Sequence, residues 1–147
     1  MAIALRKTES RDLEVIHRML CALEETDLPF AAFRNIFLRN INDAGMLYLV
    51  ACHETGEIVG HLALHTQWLL HHAGLVAEIQ EMFVDPSYRG AGIGENLLKE
   101  ALKWADEKGC VLVEVTANIN RTRTHGFYSA NGFDKTHLKF TMPLTTS

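Results

Sequence analysis

Cysteine is scarce in this 147-residue sequence: Cys21, Cys52 and Cys110 are three, far apart and odd in number. That excludes a disulfide framework and leaves no zinc-type ligand spacing. Each sits in an apolar run and reads as a buried thiol suited to a reducing compartment. Proline is equally rare, at three. With no low-complexity tract and no internal repeat to mark a linker, residues 1–147 read as one domain. Positive charge is not in excess either; the formal net charge is −4, which disfavours a nucleic-acid partner. No apolar run reaches the roughly 20 residues of a membrane span, and the N-terminus lacks the charged-then-apolar order of a signal peptide. The expectation is a cytoplasmic protein that binds neither membrane nor nucleic acid.

What is present is a regular alternation of strand and helix patterns. Ile3–Thr8, Met46–His53, Ile58–Trp68, Leu75–Val84 and Val111–Ala117 read as strands, and the segment Phe133–Met142 as a final one. Ser10 can cap a helix carrying Leu13, Ile16, Leu20 and Leu23 at helical spacing. A second helix covers Leu28–Ile41, a third follows the glycines at 90–94, and a short fourth ends at Gly132. Gly56 supplies a hairpin turn and Gly109 a helix C-terminus. The order predicts an α/β (α+β) protein: a mixed twisted sheet of six to seven strands with about four helices on both faces.

The chemistry centres on "VDPSYRGAGIGENLL", Val84–Leu98, where Gly90, Gly92 and Gly94 follow a strand and precede a helix. A nucleotide P-loop needs Lys and Ser/Thr after the last glycine, whereas Glu95 and Asn96 stand here. A dinucleotide fingerprint needs G-x-G-x-x-G, and the spacing is G-x-G-x-G. One glycine would make a plain turn, so three point to close backbone approach by a ligand. Unpaired N–H groups at a helix start bind phosphate when no side chain blocks them. The expected ligand is a pyrophosphate on the backbone of Arg89, Gly90, Ala91, Gly92, Ile93 and Gly94, with the Arg89 cation at the mouth.

These residues resemble the acetyl-CoA loop of the GNAT N-acetyltransferases, with Arg89, Gly92 and Gly94 on its Gln/Arg-x-x-Gly-x-Gly/Ala pattern. "HGFYSANGF", His125–Phe133, is similar to that family's second signature. From Leu64 to Phe140, with "AAFRNIF" upstream, the chain resembles the bacterial aminoalkylphosphonate N-acetyltransferases; Thr124 and Gly126 depart from their pattern. The resemblance implies the GNAT fold, acetyl-CoA as co-substrate, and transfer of acetyl to a primary amine, an aminoalkylphosphonate. Polyamines, amino acids, aminoglycosides and protein N-termini are rival acceptors, and a non-catalytic acyl-CoA-binding module is the rival from another class. A homodimer with the final strand at its edge also accords with the resemblance.

Direct attack on the thioester requires a base for the ammonium and an acid for the thiolate. Glu78, in an otherwise apolar strand, is the first choice as base; pairing with a cation is its structural alternative. Tyr128 is the expected acid, as the resemblance places a tyrosine there, against a core role for the same ring. By the same resemblance, backbone groups of Phe83 and Val84 hold the pantetheine arm, and Asn118 lies near the cofactor or caps a strand end. His65, Gln67, Glu81 and Arg121 are the expected acceptor-binding side chains. Strand alternation turns Glu81, three residues beyond Glu78, to the other face of the sheet. His61, His65, His71 and His72 have no known ligand spacing, so no metal is expected, although the phosphonate acetyltransferases have been described as using divalent cations.

Overall fold

Five of the apolar alternations pair into one sheet. In the computed structural model, which describes residues 2–144, the strands are β1 (Ile3–Lys7), β2 (Met46–His53), β3 (Ile58–Leu69), β4 (Gly74–Val84) and β5 (Leu112–Val115). They lie in the order β1-β2-β3-β4-β5, antiparallel except for the parallel β4–β5 pair. The helices are α1 (Leu13–Glu24), α2 (Phe30–Asn40), α3 (Ile93–Glu107) and α4 (Thr122–Ala130). The chain divides into two units, Met1–Val115 and Thr116–Ser147.

In the first unit, α1 follows its apolar spacing and buries Ile16, Met19 and Leu20. Its start differs from the sequence reading. Ser10 opens a short 3-10 turn, and the buried Asp12 instead accepts the Glu9 N–H at 2.7 Å and both Arg6 guanidinium nitrogens at 2.8 and 2.9 Å. Ile16, Leu20, Phe37 and Val50 form the core on the α1–α2 side. On the other face, α3 buries Ile93, Leu97, Leu98, Ala101 and Ala105. Full burial of one such Leu or Ile contributes roughly 2 kcal/mol. Gly60 makes this close packing feasible: a Cβ there would stand 3.2 Å from Ile93 Cγ2 and 3.3 Å from both Ala51 Cβ and Leu97 Cδ1.

Two expectations change. Of six to seven strands, five form among the described residues, because residues 134–143 stay outside any sheet, with Leu138, Phe140 and Met142 exposed. Alternation supplies a strand's side-chain pattern, but a strand also needs a backbone partner. The three cysteines are free thiols as expected but half-buried rather than buried.

Candidate active site

The glycine segment folds as a loop from β4 into α3. Gly92 is the N-cap of α3 at φ +79° and Gly90 has φ +85°, conformations that L side chains rarely adopt. A Cβ on either would meet nothing within 4 Å, so the space beside both backbones is open. The first bond inside α3 runs from Asn96 N–H to Gly92 C=O at 3.0 Å. The N–H groups before Asn96 therefore have no partner within the helix. Arg89, Gly90, Ala91 and Gly92 are exposed, and Gly94 is half-buried. Ile93 points its side chain into the core, so only its backbone can face a ligand.

Next to this loop, β4 loses a neighbour. Its pairing with β5 stops at Ile79 opposite Val115, while β4 continues to Val84. On that edge the backbone from Gln80 through Phe83 to Val84 has no strand partner among the described residues. Such an edge can pair with an amide-bearing arm as it would with another strand.

A β-bulge decides which carboxylates share a face. Ala63 lies opposite Glu81 and Leu64 opposite Ile79, so Gln80 is an extra residue with no counterpart on β3. One added residue reverses the alternation beyond it. Glu81 therefore returns to the face of Glu78, which is opposite His65. This corrects the expectation that Glu81 points away. The face that carries both glutamates also carries His61, opposite Phe83, together with Tyr48 and Gln67. Gln67 is exposed near the hairpin end, and the Gln80 amide lies 3.3 Å from Glu78 Oε1.

Between this face and the helices α1 and α2 lies a cavity of about 270 Å³. Apolar side chains, among them Leu28, Phe33 and Phe37, form its walls, and its polar groups are Glu24, Tyr48, His61 and Glu81. The α1–α2 connection is held over it by His17, whose Nε2 is 2.7 Å from the Leu28 carbonyl and whose ring meets Phe30 and Phe33 edge-on. Burial, with the nearby Glu24 charge, pushes the Glu81 carboxyl up to about 7. Tyr48 is pushed up to about 12, chiefly by burial. Its hydroxyl receives the Asn40 amide at 3.0 Å and stands 3.0 Å from His65 Nε2. With Asn40 as donor, the phenol proton is available to that nitrogen. Burial in turn lowers the His65 imidazole, against the opposing charges of Asp43 and Glu78.

The second unit holds Asn118, Arg121 and Tyr128. Asn118 Oδ1 accepts the Asn120 N–H at 2.9 Å, and its carbonyl is 2.8 Å from His125 Nε2. These contacts fold the turn that leads into α4, with Arg121 immediately before the helix. Tyr128 is buried, with edge-on rings of Phe127 and Phe133 at 5.3 and 5.5 Å. Burial pushes its phenol up to about 12, so the hydroxyl keeps its proton at neutral pH. Among the described residues no group of three or more His, Cys, Asp or Glu side chains could hold a metal ion. No helix of the described residues is long and apolar enough to cross a membrane.

Sequence reasoning missed Tyr48, Glu24 and the role of Gly60. One usable signal was present: two glutamates three apart in an apolar strand break the two-residue period, as a bulge would.

The chain is similar to known proteins. An aminoalkylphosphonate N-acetyltransferase of Salmonella typhimurium is 38% identical over 95% of this chain and 90% of its own. A glucosamine 6-phosphate N-acetyltransferase of Trypanosoma brucei brucei is 34% identical, covering 89% of this chain and 88% of that protein. The crystal structure of a transcriptional regulator from Bacillus halodurans superposes with a TM-score of 0.87 at 27% identity, over 97% of this chain and 100% of that one. Residues 11–133, which run across both units, match the acetyltransferase (GNAT) family. The chain belongs to the GNAT acetyltransferase family and is an acetyltransferase.

Proposed function

We propose that this enzyme moves the acetyl group of acetyl-CoA to the primary amine of a small aminoalkylphosphonate, as one domain spanning residues 1–147. The observation that carries the acceptor class is the pair of relatives: an aminoalkylphosphonate and glucosamine 6-phosphate, the substrates in their names, both join an amino group to a phosphorus oxyanion. The diphosphate of the coenzyme lies on the bare amides from Arg89 to Gly94, where helix-start N–H groups and the Arg89 charge favour an anion. The open β4 edge at Phe83 and Val84 takes the pantetheine amides, and Asn118 adds a polar contact to the coenzyme.

The amine arrives as an ammonium and must lose a proton before it attacks. Glu81, desolvated and poised near neutral pH, is the better placed of the two glutamates for that proton. Glu78, on the same face beside His65, passes it toward water; His65 and Gln67 border the acceptor path. The amine nitrogen then forms its bond to the thioester carbon and gives its surplus proton to the same carboxylate relay, the C–S bond breaks, and the Tyr128 hydroxyl gives its proton to the leaving thiolate and regains one from water. Arg121 pairs with the phosphonate. A second reading has its own support: among the described residues the cavity is lined by two carboxylates and no Lys or Arg, which favours an amine without an anionic group.

An amine panel read by release of free CoA tests both. Aminomethyl- and 2-aminoethylphosphonate stand beside spermidine, amino acids, an aminoglycoside and a simple alkylamine. Turnover of a phosphonate well above the others is the expected result. Strong turnover of another amine without phosphonate activity refutes the acceptor class, and background release with all of them leaves only an acyl-CoA-binding module.

A further inference from the structure

His61 sits where the fold alone does not call for a histidine. It lies in the middle of β3, fully buried at 0% exposure; neither ring nitrogen makes a hydrogen bond of good geometry among the described residues, although the Leu49 backbone lies near enough to interact with the ring. An unpaired buried polar group is destabilising, and the large majority of buried side-chain polar atoms in native proteins are paired. A leucine would fill the position without that cost. Burial lowers the imidazole to about 4, with the Leu49 backbone opposing it, so the ring is neutral at neutral pH and offers one N–H and one lone pair.

The ring lines the same cavity as Glu81, Glu24 and Tyr48, and stands 5.9 Å from the Tyr48 ring. His61 pairs with Phe83, and Glu81 pairs with Ala63 two residues along β3. The two side chains are thus diagonal neighbours on one face, with Cβ atoms separated by about 7–8 Å or somewhat less. Neither ring nitrogen is accessible as the side chain stands, so a ligand nitrogen between the two bonds both only when the ring turns toward the cavity.

We propose that His61 is an acceptor-binding residue whose ring nitrogen takes a hydrogen bond from the acceptor's amino group while Glu81 takes another. The proposal rests on the cavity being the acceptor site. A primary ammonium has three N–H bonds. Glu81 removes one proton, His61 holds a second hydrogen, and the direction of the remaining lone pair is fixed. A deprotonated primary amine keeps two hydrogens, one of them for His61, whereas an N,N-dimethylated amine keeps none, so the site binds the primary amine more tightly.

The test follows the ring itself as well as the rate. Protein labelled with ¹⁵N in the histidine rings is titrated with 2-aminoethylphosphonate and with n-butylamine in the presence of CoA. The His61 signals are assigned by their disappearance in His61→Leu and His61→Asn. A saturable shift of a His61 ring nitrogen with at least one amine is the expected result. In kinetics, His61→Leu raises the acceptor KM at least about tenfold, leaves the acetyl-CoA KM in place, and melts no lower than the parent. His61→Asn, which keeps a polar group, restores part of the affinity. No shift with either amine, or a parental acceptor KM in His61→Leu, overturns the assignment. A ring shift without turnover of any amine keeps His61 as a ligand contact and refutes the acetyl-transfer role of the cavity instead.

Discussion

Glu81→Gln separates the two consequences of burying a carboxylate. The folded state holds this group at about 7 against an ordinary value of 4.5. That interval corresponds to roughly 3 kcal/mol. The sign follows from the raised value: the stability contribution is fully present below pH 4.5, where both states are protonated, and is lost as pH rises through about 7. Above that pH the fold carries an ionised carboxylate in an apolar cavity near Glu24. A glutamine cannot ionise, so the variant matches the parent near pH 4.5 and exceeds it by up to about 3 kcal/mol near pH 8. For a chain of this size that is a melting shift of about 6–12 °C. His61 works in the opposite direction: lowered to about 4 from 6.5, it costs stability as pH falls through that interval. The difference between variant and parent melts, taken at each pH from 4.5 to 8.5, cancels the His61 contribution and isolates Glu81. The same variant loses the general base, for a fall in kcat/KM of roughly 10²–10⁴-fold, and with it the rising limb of the parent's pH profile near 7. A flat difference curve refutes the desolvated carboxylate. A steep curve with full activity refutes its role as base and returns that role to Glu78.

Gly92→Val sets a branched side chain at φ +79° in the space beside the loop. Acetyl-CoA affinity by calorimetry should fall at least about a hundredfold, or ~3 kcal/mol; unchanged affinity contradicts the phosphate cradle. Gly60→Val forces α3 off the sheet against contacts of 3.2 and 3.3 Å, for an expected loss of about 1–3 kcal/mol in chemical denaturation together with weaker acetyl-CoA binding. Unaltered stability means that the helix does not depend on that close approach. Tyr128→Phe should lower turnover about a hundredfold with acetyl-CoA affinity retained, since the ring packing against Phe127 and Phe133 survives. Equal losses in both make the tyrosine a structural residue.

Much of this was legible in the residues. The glycines at 90, 92 and 94 announced an unusual backbone between strand and helix, which Gly90 and Gly92 supply at positive φ with open space beside them, and the apolar spacing of α1 and α3 was a local property. The bulge at Gln80 was not, because alternation fixes faces only while the register holds, and the register depends on β3. The desolvation of Glu81 was not legible for a related reason: its burial comes from α1 and α2 closing over the sheet, a tertiary event that no strand pattern encodes. The sequence of Phe133–Met142 has the alternation of a strand and no pairing partner among the described residues, since pairing is a relation between segments.

The most direct test of the central claim is a crystal structure of the enzyme with acetyl-CoA bound. The diphosphate should rest on the amides of residues 89–94, and the thioester should lie along the open edge of β4 at Phe83 and Val84, within reach of the cavity that holds Glu81. Phosphates seated on any other part of the chain would contradict the account.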